Sequence, residues 1–239
     1  MRNFPWGFIA LVTAILGVAL GFGIAFHPWN ENMDAFYRFV NTHSLAAEPS
    51  RLFAFYSLDY FLKAAGGYVT ALFIHNGWMH VLTTAWPLAF FGAQVEKAVG
   101  WKGLLAVFFI GGIVGELSSS AMLLSLSGGD HNWGTIGASP AMFALIAVFL
   151  VAYAKLWREY YVRVGVALTL LVLEAIRVVA TFSEPAPDWF AHGAVNHASH
   201  LGGFIVGLAF AFWLVRRPRK PAKGARPMLP FTGFSRLHS

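Results

Sequence analysis

Long apolar runs alternate with short polar segments along this chain. The hydrocarbon core of a bilayer is about 30 Å thick, so one helical span needs about 20 apolar residues. Six stretches come near that length, which is the pattern of an all-α polytopic membrane protein with six transmembrane helices. The predicted spans are 6–26, 78–96, 103–126, 138–154, 162–182 and 196–215.

Two segments lie outside these spans. The stretch 27–77 is too long for a simple connection, and its aromatic residues alternate with charged ones, as in helices that lie in the membrane interface. It is expected to form a long first loop, half embedded in the outer face. The segment 217–239 is rich in proline and basic residues, and is expected to be a disordered cytoplasmic tail behind a membrane domain over 1–216.

Composition supports the same class of protein. Of the 239 residues, 57% are hydrophobic and 12% are charged, whereas soluble domains carry about 25% charged residues. A net charge of +6 would suit nucleic acid if it lay on a folded aqueous face. The basic residues instead lie between apolar runs, so the expected partner is the lipid bilayer and not nucleic acid. The absence of cysteine excludes a disulfide-stapled fold.

The distribution of basic residues predicts the orientation, because Lys and Arg are retained on the cytoplasmic side of a membrane. One alternating set of span flanks carries thirteen of them, and the opposite set carries only Arg38, Arg51 and Lys63. Both termini are therefore expected in the cytoplasm. The expected membrane is the inner membrane of a bacterial cell. Spans two, four and six then enter the membrane from outside.

Three polar side chains interrupt these even-numbered spans near their outer ends: His80, Ser139 and His200. Polar residues inside a membrane are costly and are therefore candidates for function. Since all three spans enter from the same face and a helical turn rises about 5.4 Å, the three side chains are expected within one or two turns of the same depth. The sequence thus predicts a serine and two histidines close together beneath the outer face.

The residues around Ser139 favour a helix start. Gly134 and Gly137 permit a tight turn, and Pro140 suits the first turn of the following helix. Ser139 is expected at the N-cap, where unpaired N–H groups and the positive end of the helix dipole would stabilise an oxyanion. An ordinary helix cap has the same pattern and is the alternative interpretation.

Helix packing and the pairing of opposite charges are the expected roles of other glycines and charged residues inside the spans. Gly203 and Gly207 form a small-xxx-small face on the last span, and this face allows a close helix approach that would bring His200 to Ser139. Glu116 is expected to face the bundle interior in a structural role. Glu174 and Arg177, three residues apart on span five, are expected to neutralise each other.

Four segments together resemble the rhomboid intramembrane serine proteases in order, spacing and span placement. The resemblance covers about 66–215 and implies a six-helix bundle with the catalytic serine on span four and the catalytic histidine on span six. The segments are His75-Asn-Gly-Trp78-Met-His80, Phe91-Gly92-Ala-Gln-Val-Glu96-Lys97-Ala-Val-Gly100, Gly137-Ala-Ser139-Pro-Ala-Met-Phe143 and His200-Leu-Gly-Gly203-Phe-Ile-Val-Gly207.

The resemblance implies a role for each matching residue. Ser139 would be the nucleophile and His200 the general base and later acid, a dyad without a carboxylate. The N–H of Ser139 and the side chain of His80 would bind the oxyanion. Phe143, four residues after the serine and on the same helix face, would stack on the histidine ring.

Some positions depart from the family pattern. Pro140 replaces the glycine that usually follows the serine, which removes one N–H. Thr84 replaces an asparagine and keeps a hydroxyl donor of shorter reach. Gly66-Gly67 replace a Trp-Arg pair of the first loop. With these departures, the oxyanion and substrate-binding group is expected to comprise His80, Thr84, Gly137 and Phe143.

The expected function is that of an intramembrane serine endopeptidase, without cofactor or metal, that cleaves single-span membrane proteins near the outer face. Zinc and aspartyl intramembrane proteases fit poorly, because the chain has no H-E-x-x-H and no aspartate inside a span. Two alternatives stay open. One is a rhomboid-like pseudoprotease that binds transmembrane helices, which Pro140 and Thr84 favour. The other is a haem or metal protein that uses His80 and His200.

Overall fold

The computed structural model describes residues 5–27, 33–43, 46–47, 57–127, 135–183 and 187–216. Within these ranges the chain forms seven α-helices, with short 3₁₀ helices at Ala71–Phe73 and Ala154–Leu156. The predicted tail, 217–239, and parts of the first loop lie outside the described residues. The helices are α1 (Trp6–Ala25), α2 (Met33–Thr42), α3 (Leu58–Thr70), α4 (Trp78–Ser127), α5 (Ser139–Ala152), α6 (Tyr161–Ser183) and α7 (Pro187–Arg216).

Four of these helices are long and apolar enough to cross a membrane. They are α1, α4, α6 and the Asn196–Arg216 part of α7. Helix α5 is equally apolar but has only 14 residues. The protein is therefore an all-helical polytopic integral membrane protein, as the hydropathy pattern predicts. The positions of α2 and α3 in the outer interface stay a prediction.

Helix α4 contains two of the predicted spans, with a kink where the sequence predicts a connection. At Gly100 φ is 75° and ψ is 167°, outside the helical region. Glycine adopts this conformation at low cost because it has no Cβ. Two separate helices therefore meet at this residue, and we call them α4N (78–99) and α4C (101–127).

Helix α5 lies at the centre of the bundle, and its residues 140–149 are all buried. It packs against α7 at very short range. A Cβ added at Gly203 would lie 2.1 Å from the carbonyl oxygen of Pro140, and one at Gly207 would lie 2.2 Å from that of Ala144. The predicted small-xxx-small face of α7 is thus confirmed, because only glycine allows the two backbones to lie so close.

The carboxylate of Glu96, on α4N, anchors the start of α1. It accepts the N–H of Gly7 at 3.1 Å and that of Phe8 at 2.8 Å. The first N–H groups of a helix have no partners within the helix, and the helix dipole favours a negative group there. Glu96 lies inside one of the rhomboid-like segments, and the structure gives it this role in docking α1 onto α4N.

Thr135 fixes the segment that leads into α5. Its backbone N–H and C=O pair with those of Ala47 at 3.1 and 3.0 Å, and its hydroxyl donates to the carboxylate of Glu116 on α4C. Glu116 is 2% exposed and also accepts a bond from Ser119. The prediction that Glu116 faces the bundle interior is confirmed, and its effect is to hold the turn before Ser139 in place.

Candidate active site

The structure brings Ser139 and His200 into hydrogen-bond contact. The Oγ of Ser139, at the start of α5, lies 2.9 Å from Nε2 of His200 on α7. The N-cap of α5 is Ala138, which makes no side-chain capping bond. The prediction that Ser139 is the N-cap was therefore wrong by one residue. As the first residue inside the helix, Ser139 directs its hydroxyl to a histidine and not to the backbone.

The ring of His200 is held on its face and at both nitrogens. Phe143 stacks on it with ring centroids 4.5 Å apart and planes 20° apart. Nδ1 lies 2.7 Å from a carboxylate oxygen of Glu174, on α6. Because an ionised carboxylate only accepts hydrogen bonds, Nδ1 carries the hydrogen and Nε2 is free to accept the hydroxyl of Ser139.

The hydrogen bonds of Glu174 contradict two predictions made from the sequence. Its Oε1 accepts from Nδ1 of His197 at 2.6 Å as well as from His200, whereas Arg177 is exposed and lies outside this cluster. The expected neutralisation by Arg177 was wrong, and so was the expectation of a site without a carboxylate. The sequence signal was an acid in the outer half of span five, at a depth similar to that of the two histidines.

His80 faces the turn before Ser139. Its Nδ1 accepts the N–H of Asn76 at 3.3 Å, so Nε2 carries the hydrogen. Gly137 lies against this nitrogen, because a Cβ added at Gly137 would be 2.8 Å from Nε2. Its φ is 122°, which residues with a side chain rarely adopt. Gly137 is therefore required by both backbone conformation and space.

Successive N–H groups of this turn differ in their partners. The N–H of Gly137 donates to the carbonyl of Ala71 at 2.8 Å, and that of Ala138 points to Nε2 of His75 at 3.5 Å. In the described part of the chain, the N–H of Ser139 meets no protein acceptor. It is therefore available, beside the Nε2–H of His80, to an oxygen atom at the site.

His75 supports this turn as a neutral ring. It is 1% exposed, and burial, with the nearby His80 as the second cause, lowers the pKa of His75 to about 3. A neutral imidazole has one donor and one acceptor nitrogen. Here Nδ1 bonds the carbonyl of Phe73 at 3.3 Å, which leaves Nε2 to accept from Ala138.

A cavity of about 1010 Å³ lies in front of the Ser139–His200 pair. Its walls come from α2, α4N, the segment that leads into α5, the start of α5, α6 and the middle of α7. Thr84 lines it one turn after His80 and is 2% exposed. Other lining residues are Tyr37, Asn41, Asn76, Met79, Thr83, Trp86, Thr135, Ile136, Met142, Leu170, Leu173, Ile176, Arg177 and Asn196.

Glu174, His197 and His200 also form a donor set of the kind that zinc uses, with ligand atoms within 4.8 Å of one another. In this structure both Nδ1 atoms instead bond the same carboxylate oxygen. The nitrogens of His200 are thus both engaged, one with Glu174 and one with Ser139. The alternative of a metal or haem held by His80 and His200 would require these bonds to be broken.

Gly137→Ala is expected to impair the site strongly. The new Cβ would displace the ring of His80, and losing one oxyanion donor lowers the rate by about 10²-fold or more. The measurement is the rate at which a fluorophosphonate probe labels the protein. Gly66→Ala on α3 is the matched control, because its Cβ would meet nothing within 4 Å. Parental labelling of Gly137→Ala would contradict the expectation that an oxyanion binds beside His80.

The fold and the site define a class: a polytopic membrane protein with a serine–histidine pair at the wall of a cavity within the helix bundle. Comparison with known proteins is consistent with this class. The sequence model of the family described as "Rhomboid domain" matches residues 63–217. The chain belongs to the rhomboid family, and the identification from its motifs is confirmed.

The curated relatives named below are identical to this chain at 30% of the aligned positions. "Rhomboid-like protease 2" of Toxoplasma gondii is 30% identical over 146 residues, which are 61% of this chain and 46% of that protein. "Rhomboid-like protein 11, chloroplastic" of Arabidopsis thaliana is 30% identical over 154 residues, 63% of this chain and 53% of that protein. The chain therefore spans about half the length of these relatives.

Proposed function

We propose that this protein is an intramembrane serine endopeptidase, a hydrolase that cleaves the transmembrane helices of other membrane proteins near the outer face. The observation that carries the proposal is the 2.9 Å contact between Ser139 Oγ and His200 Nε2 at a cavity wall. Membership of the rhomboid family supports it.

In the proposed reaction, Ser139 Oγ attacks the carbonyl carbon of the scissile peptide bond while its proton passes to His200 Nε2. The negative charge that forms on the carbonyl oxygen is stabilised by the Ser139 N–H and by His80 Nε2–H. The C–N bond then breaks, and His200 gives its proton to the leaving amine. A water molecule deprotonated by His200 hydrolyses the acyl-serine ester, and proton return from His200 regenerates the Ser139 hydroxyl.

The short central helix supports a recessed site. The 14 residues of α5 span about 21 Å, less than the hydrocarbon thickness of about 30 Å. With α1, α4N, α4C, α5, α6 and α7 as six spans, Ser139 would lie below the outer surface. Asn41, Asn76 and Thr83 in the cavity wall would let water reach it.

The proposed substrates are single-span membrane proteins. Their helix must unwind near the outer interface, because a peptide carbonyl inside an α-helix is already hydrogen-bonded and sterically hidden. Segments with glycine or proline near that interface unwind most readily. Met79 on α4N and Ile176 on α6 are exposed at the cavity mouth, which suggests entry from lipid between these two helices.

Orientation and membrane are part of the proposal. The basic flanks support cytoplasmic termini, with α2 and α3 on the outer side. The bacterial inner membrane stays a prediction, since the relatives above come from Toxoplasma gondii and Arabidopsis thaliana.

A rhomboid-like pseudoprotease that only binds transmembrane helices is the second candidate. The case for it rests on two departures: Pro140, at the second position of α5, offers no N–H, and the hydroxyl of Thr84 is buried and has a shorter reach than an asparagine amide. Each departure removes or weakens one donor near the oxyanion. Because one such donor changes the rate by about 10²- to 10³-fold, the departures favour a slow enzyme over an inactive one.

The test is labelling and cleavage by the full chain in proteoliposomes. A fluorophosphonate probe is expected to label Ser139, identified by peptide mapping. A single-span reporter with a Gly-Pro pair near its outer interface is expected to be cut on that side, and a matched all-leucine reporter is expected to stay intact. Folded protein that is neither labelled nor cuts the reporter would refute the protease and favour the binder.

A further inference from the structure

A continuous chain of hydrogen bonds runs from Ser139 on α5 to Thr181 on α6, and it crosses between α7 and α6 on the way. Ser139 bonds His200, His200 bonds Glu174, Glu174 bonds His197, and Nε2 of His197 lies 3.0 Å from the hydroxyl of Thr181. One assignment of hydrogens satisfies every member: both imidazoles carry their hydrogen on Nδ1, and both Nε2 atoms accept from a hydroxyl.

Glu174 is the only acidic group in this chain of bonds, and both histidines donate to it. Its side chain is 14% exposed and that of His200 is 11% exposed. The carboxylate of Glu174 is the partner of His200 Nδ1, at 2.7 Å. The state of the His200 ring therefore depends on a residue of another helix, α6.

We propose that Glu174 is a positioning residue for the reaction proposed above, and the inference rests on that proposed function. Its carboxylate holds His200 in the Nδ1–H tautomer with Nε2 directed at Ser139. It also stabilises the doubly protonated ring that forms when the Ser139 proton arrives. The proton stays on His200 until the leaving amine takes it, and none passes to Glu174.

The physical reason is that the two neutral tautomers of imidazole are close in energy unless a neighbour selects one. A ring with its hydrogen on Nε2 cannot take the proton of Ser139. In soluble serine hydrolases, changing the orienting aspartate to asparagine lowers kcat by about 10⁴-fold for this reason. Here Phe143 also holds the ring by stacking, so the expected loss is smaller, about 10²-fold.

The variant that tests the proposal is Glu174→Gln, which keeps the size of the side chain and one acceptor oxygen. It is expected to lower kcat for the reporter about 10²-fold with KM unchanged, because the interaction matters in the transition state and not in substrate binding. Glu174→Asp, which keeps the charge, is expected to recover part of the loss. Thr181→Val is the matched control: it breaks the far end of the chain of bonds and leaves Glu174 and His200 in contact.

A second measurement separates positioning from support of the fold. Nitrogen-15 NMR of labelled histidine, in the Ser139→Ala background, is expected to show His200 as the Nδ1–H tautomer. Glu174→Gln is expected to shift His200 toward the Nε2–H tautomer without lowering the thermal midpoint of unfolding. Parental kcat in Glu174→Gln, or an unchanged tautomer, would overturn the proposal. If the parent cuts no reporter, the proposed function fails, and the tautomer measurement alone decides whether Glu174 orients His200.

Discussion

Replacing Ser139 or His200 with alanine is expected to lower kcat for reporter cleavage by about 10⁴- to 10⁶-fold, and the double variant is expected to be no slower than either single one. The nucleophile and its base act as one unit, because the hydroxyl attacks only if its proton has an acceptor. Once either member is lost, removing the other changes little. Non-additive losses are therefore the expected signature of the 2.9 Å contact.

The measurement is reporter cleavage in proteoliposomes, with Ser199→Ala as the control. Ser199 is buried on α7 beside His200, but its hydroxyl donates to the carbonyl of Asn196 at 2.8 Å. Ser199 thus lies close to the site, but its hydroxyl bonds a backbone carbonyl and not a histidine ring. Losses that add in the double variant would show that Ser139 and His200 act independently, which would contradict the pair.

The helices and the grouping of polar residues follow from hydropathy and charge. Apolar length predicts the helices, and the basic flanks predict which spans enter from the same side. Depth alone then groups His80, Ser139 and His200, and in the structure all three line one cavity. This works because depth along a membrane helix is a one-dimensional quantity, which can be counted in residues.

Counting residues does not fix the rotation of a helix about its axis, and this is why the predicted Glu174–Arg177 pair was wrong. Glu174 has Arg177 one turn away on its own helix, yet its carboxylate is turned toward α7. Which partner it meets depends on how α6 packs against α7, and this follows from side-chain contacts across the interface. The sequence therefore predicted an ion pair inside α6 where the structure has a contact between helices.

Local backbone geometry was the second source of error. Ala138 has φ of −84° and ψ of 8°, so it is the residue outside the helix and Ser139 is the first residue inside. Between spans two and three, where the sequence predicts a connection, a single non-helical residue, Gly100, separates the two helices. In both places one backbone conformation decides the boundary, and the apolar pattern is the same for either outcome.

Small-xxx-small patterns show the same limit. Gly17 and Gly21 on α1 have the spacing of Gly203 and Gly207 on α7, yet a Cβ at either α1 position would meet nothing within 4 Å. Of these two pairs, only the α7 pair lies against another backbone. The pattern permits close packing, and the neighbouring helix decides whether it occurs.

The double variant Gly203→Ala/Gly207→Ala is expected to destabilise the fold by about 2–6 kcal/mol, because each overpacked methyl group costs about 1–3 kcal/mol. The added carbons would lie 2.1 and 2.2 Å from backbone carbonyl oxygens of α5, which no side-chain rotation relieves. Helix α7 must therefore move away from α5. That movement would carry His200 away from Ser139, and a shift of about 1 Å at a reacting group lowers the rate by about 10²-fold.

The matched control is Gly17→Ala/Gly21→Ala, which makes the same chemical change at the same spacing in open space on α1. Since alanine has the higher helix propensity, this control is expected to be as stable as the parent or slightly more stable. The measurements are the thermal midpoint of unfolding in detergent and the rate of fluorophosphonate labelling. An α7 double variant with parental stability and labelling would show that α5 and α7 do not need this close contact, and the geometry of the serine–histidine pair would then require another explanation.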